Sequence, residues 1–200
     1  LTAKAAAGSH CVPYGAIGRP WNEIVVDCQG HVFVDMPGSM PDEEPRPGLV
    51  AVVAADGATT DVADDVWFPN GMAVTADGST LLVAESHATR ISAFEIAADG
   101  TLHDRRVWAE LPGDEAPDGI CLDATGALWY ATVPGQRCRR IAEGGEVLET
   151  VEVGRPCFAC MLGGHDCRTL FIVTNSWDGS DAGDGRVLTT TVEHPHAGRP

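Results

Sequence analysis

The chain has 200 residues, 44% of them hydrophobic, and a formal net charge of −16 from 29 acidic and 13 basic side chains. That length suffices for one sizeable core, and the acidic balance argues against nucleic acid or an anionic membrane as main partner, since both call for a basic surface. No apolar run approaches the roughly 18 residues that span a bilayer, residues 1–8 hold no apolar core long enough for a signal peptide, and a cytoplasmic location is the expectation.

Residues 1–18 are weakly patterned and broken by Gly8, Pro13, Gly15 and Gly18. They read as the remnant of a preceding unit or as a linker. Residues 19–200 then form a single domain of four similar units. The first predicts strands over 23–27, 31–35, 49–54 and 59–62, with a long Pro/Gly/acid loop over 36–48. The second predicts strands over 71–74, 80–84, 91–96 and 105–109, and the third over 119–122, 127–131, 138–141 and 147–151. The fourth predicts 158–162, 169–173 and 186–190. Short runs rich in Val, Ile and Phe, separated by Asp-Gly and Gly-Gly turns, follow the rules of strands and hairpins rather than of helices.

The units are in register. Asn22, Asn70 and Asp118 are spaced 48 apart, and so are Gly30, Gly78 and Gly126. A degenerate fourth copy begins at Cys157-Phe158. A period of 40 to 50 residues is that of a propeller blade or a solenoid unit, and the strand content decides for an all-β propeller with about four blades present. In such a blade the residues just before successive inner strands lie at one mouth of the central channel. The loops 36–48, 85–89, 133–137 and 174–185 return to that mouth. Asn22, Asn70 and Asp118 therefore converge on the axis, where side-chain oxygens suit a hard cation such as Ca²⁺. The competing reading is plain turn chemistry, because Asn-Gly and Asp-Gly are common turn dipeptides.

The stretches Arg19-Pro20-Trp21-Asn22-Glu23, Phe68-Pro69-Asn70-Gly71-Met72 and Pro117-Asp118-Gly119-Ile120-Cys121-Leu122-Asp123 resemble the senescence-marker-protein-30 / gluconolactonase / luciferin-regenerating-enzyme family. The resemblance implies a six-bladed propeller with a divalent cation on its axis, Ca²⁺ foremost and Zn²⁺, Mg²⁺ or Mn²⁺ as alternatives. It implies hydrolysis of a small-molecule lactone or ester. Asn70 and Asp118 match metal ligands, Asp118 matches the general base as well, and Asn22 matches a residue facing the substrate and the metal's water. Two departures stand out. Nothing in residues 1–18 can supply the glutamate ligand of the family's first blade, so N-terminal blades are expected to be missing. Pro20 stands where sugar-lactone members carry an arginine.

A catalytically inactive binding propeller and a related esterase or phosphotriesterase are the alternative readings. Open ends left by absent blades predict self-association. Other candidates have plainer explanations. Cys157-x-x-Cys160 sits in an apolar run and reads as core. Ser86-His87 reads as adjacent strand residues facing opposite ways. Asp178, Asp181 and Asp184 read as a solvated loop, and Asp42-Glu43-Glu44 as a mouth-facing acidic loop. His194 and His196 lack a third zinc partner. Trp177 and His87 fall in mouth-facing loops and could line a pocket.

Overall fold

A computed structural model describes residues 19–54, 57–177 and 183–198. The expected N-terminal remnant, the acid of the 56–57 turn, Asp178 and Asp181 lie outside these. The first sheet orders β1 (Ile24–Val26), β2 (Val32–Met36), β3 (Gly48–Val53) and β4 (Thr59–Val66) side by side. The second has β5 (Pro69–Val74), β6 (Thr80–Glu85), β7 (Arg90–Ile96) and β8 (Leu102–Glu110). The third has β9 (Pro117–Leu122), β10 (Leu128–Thr132), β11 (Arg137–Ile141) and β12 (Val147–Glu152). The fourth has β13 (Cys157–Gly163), β14 (Thr169–Thr174) and β15 (Arg186–Thr191). Each is an antiparallel meander, and together they form four blades of a propeller. Asn70 and Asp118 are the second residues of β5 and β9 rather than the residues before them. No described helix is long and apolar enough to cross a membrane.

The repeat has a local cause. In the first hairpin the Asp27 carboxylate accepts from the backbone N–H of Gln29 and His31, both at 2.8 Å. Asp123 repeats this with Thr125 at 2.8 Å and Ala127 at 3.2 Å. In the second blade the Thr75 hydroxyl takes over, accepting from Thr80 N at 3.1 Å. Each turn closes on a left-handed glycine, with φ of 90° at Gly30, 75° at Gly78 and 83° at Gly126, a conformation other residues rarely adopt.

Strand alternation then sends side chains to the two neighbouring blades. Met72, Val74, Leu81 and Val83 pack against Val25, Phe33 and Val50 of the first sheet. Ala73 and Leu82, their neighbours in sequence, pack against Ile120, Leu128 and Tyr130 of the third. Between the third and fourth sheets Trp129 and Leu170 share a cluster with Cys121, Cys138, Cys157 and Cys160. The Cys-x-x-Cys pair is therefore core, as its apolar context predicts. At the two ends of the series apolar side chains are exposed: Ile24 is 60% exposed on β1 and Val187 64% on β15. The inner strands β1 and β13 face each other across an axial space of about 560 Å³.

The axis is set by glycine. A Cβ on Gly71 would lie 2.4 Å from the Asp118 carbonyl oxygen, and one on Gly119 would lie 2.8 Å from the Ala159 Cα. Neither glycine has a positive φ. The Asn-Gly and Asp-Gly pairs therefore serve close approach of inner strands rather than a turn. Gly71→Ala should destabilise by about 1–3 kcal/mol, the usual cost of overpacking, lowering the Tm by several degrees. Gly113→Ala, where a Cβ meets nothing within 4 Å, should leave it unchanged; differential scanning calorimetry on both variants checks this.

Candidate functional site

The close approach of β5 and β9 brings together side chains from three blades. Asn22 leads into β1, held by its backbone N–H donating to Asp35 O at 2.9 Å. Its Nδ2 donates to Asn70 Oδ1 and to Pro69 O, each at 3.4 Å. Asn70 Nδ2 donates to Ser86 Oγ at 3.4 Å, and the same side chain hydrogen-bonds the Asp118 carboxylate. Ser86 Oγ donates in turn to Pro117 O at 2.6 Å. Asn22, Asn70 and Asp118 thus form one hydrogen-bonded series at a single mouth of the axis. Phe158 holds the corresponding place in the fourth blade, where Ala159 meets Gly119.

Two further carboxylates belong to this site, and sequence reasoning missed both. Glu23 stands where the second and third blades carry Gly71 and Gly119, and it borders the axial space. Asp35 is wholly buried. Its Oδ1 accepts from Glu23 N at 3.4 Å, and its Oδ2 has no partner among the described residues. Asp35 follows Val34, the strand partner of Ile24; the same step in the next two blades leads to Ala84 and Ala131. The available signal was a carboxylate standing at positions where the sister units have Gly or Ala. It becomes readable only once the register is known.

The electrostatics follow from burial without a counter-charge. Burial pushes the Asp118 carboxyl up to about 7, and the negative Glu23 beside it adds to the rise against hydrogen bonds from Asn70 and the Gly119 backbone. Burial likewise raises Asp35 well above the usual carboxylate range. Among the described residues no Lys, Arg or His forms an ion pair with Asp118, Asp35 or Glu23. An amide oxygen, a half-buried carboxylate and unbalanced negative charge are a donor set that fits a hard divalent cation.

Over this mouth lies a pocket walled by aromatic rings. Phe68 and His87 stack obliquely with centroids 4.5 Å apart, and Phe158 and Trp177 with centroids 5.6 Å apart. Val133, Ala116 and Pro41 complete the apolar lining. Burial lowers the His87 imidazole below its ordinary range. Ser86 and His87 belong to a 3₁₀ turn over Ser86–Ala88 and line the same pocket. The opposite-face reading of these two fails because the strand ends at Glu85. Other sequence candidates lie apart from the pocket. Glu43 is engaged by Arg19 at 2.5 Å, Asp184 by Arg155 at 2.7 Å, and His196 bridges to Asp123 in the hairpin turn of the third blade.

Comparison with known proteins bears on the family and the fold. A family model described as SMP-30/Gluconolactonase/LRE-like region matches residues 15–176. The regucalcin of Gallus gallus is 30% identical over 171 residues, which cover 80% of this chain and 56% of that protein. A pentonolactonase of Haloferax volcanii is 29% identical over 178 residues, covering 82% and 57%. The structure of a regucalcin from Agrobacterium tumefaciens, described as a calcium-binding protein, superposes with a TM-score of 0.76 at 20% identity over 90% of this chain and 63% of that one. The chain thus spans little more than half the length of the curated relatives it matches.

The half-buried Asp118 carboxyl makes stability depend on pH. A carboxyl raised in the folded state binds its proton more tightly there than in the unfolded chain. Its contribution therefore falls as pH rises from the unfolded value of 3.8 towards about 7. In chelator-treated protein, Asp118→Asn should remove that decline, gaining up to about 4 kcal/mol relative to the parent at pH 8 and little at pH 4. Urea unfolding of both proteins across that range measures it.

Proposed function

Since the chain belongs to the SMP-30/gluconolactonase/luciferin-regenerating-enzyme-like family, we propose that it carries the active mouth of a metal-dependent lactonase-type hydrolase. The observation that carries this reading is the series Asn22–Asn70–Asp118, which spans three blades and ends in a half-buried carboxylate without a counter-charge among the described residues. The pentonolactonase relative supports the reaction class. The regucalcins, one of them described as calcium-binding, support a divalent ion, Ca²⁺ foremost.

The roles follow from the chemistry of the side chains. The Asn70 amide oxygen and the Asp118 carboxylate would hold the cation, with the Glu23 charge beside them. When bound, the ion polarises the lactone carbonyl and acidifies water. Asp118 accepts the proton of the attacking water through its carboxylate. Asn22 directs its Nδ2 towards Asn70 Oδ1 and so fixes the orientation of both amides, leaving its own Oδ1 to receive a hydrogen bond from the water or substrate. The aromatic walls exclude bulk water from the acyl group, which strengthens each polar interaction within.

Asp118→Asn should lower kcat for lactone opening by about 10²–10⁴, the range for loss of a positioned base, in a pH-indicator assay with circular dichroism confirming the fold. Asn70→Ala should weaken Ca²⁺ binding at least tenfold in a calorimetric titration. Activity of Asp118→Asn within tenfold of the parent would remove this carboxylate as the base, and tight Ca²⁺ binding without turnover of any lactone would leave a binding propeller.

A further inference from the structure

The pocket over the axial mouth also constrains what is bound, and here the inference rests on the hydrolase reading and deepens it. A polyhydroxylated ring needs a hydrogen-bonding partner for each hydroxyl it buries, because an unpaired buried hydroxyl costs its full desolvation. The described lining offers very few. The Ser86 hydroxyl is engaged on both sides, donating to Pro117 O and accepting from Asn70. The Asn70 amide is engaged at Oδ1 by Asn22, and its remaining contacts run to Ser86 and Asp118. Burial lowers the His87 imidazole, so it brings no cation to the lining, and its Nδ1 is buried without a partner among the described residues. No Arg or Lys is in the described lining.

What the pocket does offer is apolar and flat. Phe158 and Trp177 form one aromatic wall, Phe68 and His87 the other, and Val133 lies between the mouth loops. Trp177 is 52% exposed at the rim, a large indole surface that an apolar group stacked on it would cover. The net charge of −16 further disfavours an anionic substrate.

We infer that the acyl or ring substituent accepted at this mouth is uncharged and apolar: the substrate class is an alkyl- or aryl-substituted lactone or ester, not a polyhydroxylated sugar lactone. Trp177 and Phe158 determine the preference by stacking on that substituent, while the ester group lies over Asn70 and Asp118.

The test compares a phenyl-substituted δ-lactone with an aldono-δ-lactone of equal ring size. The apolar lactone should show at least a tenfold higher kcat/KM. Trp177→Ala should raise its KM at least fivefold with kcat little changed, Trp177→Phe should restore most of the loss, and the aldonolactone should be indifferent to both. Equal or greater kcat/KM for the sugar lactone, or an equal loss for both substrates in Trp177→Ala, would overturn the inference. Binding of the unreactive phenyl-substituted and polyhydroxylated δ-lactams, measured by calorimetry, separates this from the hydrolase reading. If neither lactone is opened but the phenyl lactam binds at least tenfold more tightly and loses that advantage in Trp177→Ala, the catalytic reading fails and the ligand class stands. No binding of either lactam, or preference for the hydroxylated one, would overturn the ligand class itself.

Discussion

The molecule depends on how closely its inner strands approach one another. Gly71 and Gly119 leave no room for a Cβ between β5, β9 and β13. This contact places Asn70 beside Asp118 and lets the Ser86 hydroxyl reach from the second blade to the Pro117 carbonyl of the third. Larger side chains there would push the strands apart and dissolve the hydrogen-bonded series as they did so. The first blade breaks the pattern with Glu23, whose side chain enters the axial space that glycine keeps clear in its neighbours. One geometric constraint thus sets both the packing of the blades and the separation of the site's oxygens.

The buried and half-buried acids divide into two groups by whether a cation pairs with them. Glu85 is fully buried, yet Arg90 and Arg105 pair with it at 2.9 Å, and Ser92 and the Trp67 backbone donate to it as well. Asp123 is buried against Arg140 at 2.5 Å. Both carboxyls are held below their ordinary range despite burial, by hydrogen bonds and by these cations. Asp35 and Asp118, near the axis, have no such partner among the described residues, and burial drives both upward. A fold that neutralises its structural acids elsewhere leaves these two to a proton or to a cation from outside. Removing either charge relieves a cost within the protein, so neither carboxylate is accounted for by stability, in keeping with the binding role proposed for this mouth.

Packing outside the site is divided among separate clusters, one at each blade interface. Each sheet is stabilised chiefly by its neighbours, and the ends of the series carry exposed apolar side chains on β1, β14 and β15. The pocket spans the series: Phe68, Asn70 and Asp118 lie on or beside the second and third blades, Pro41 comes from the first, and Phe158 and Trp177 come from the fourth. The site's geometry therefore depends on the interfaces of all four blades.

The sequence alone determined the periodic part of this protein. Turn glycines 48 residues apart, alternating apolar runs and the aligned Asn22, Asn70 and Asp118 were legible because strand period and turn chemistry are local properties. They were enough to predict four blades and one mouth. Tertiary structure alone decided the rest, because it depends on which strands meet. Gly71 and Gly119 look like turn residues until the next inner strand is seen against them. Asp35 looks like the end of an ordinary strand until the register sets it against Ala84 and Ala131 of the sister blades. Cys121 and Cys138 share a core with the Cys-x-x-Cys pair only through the interface of the third and fourth blades. Ser86 and His87 reach one pocket because the chain leaves the strand at Glu85 and turns. Local sequence carries the repeat, but the distances between repeats, and with them the charge and lining of the site, come from packing between residues far apart in the chain.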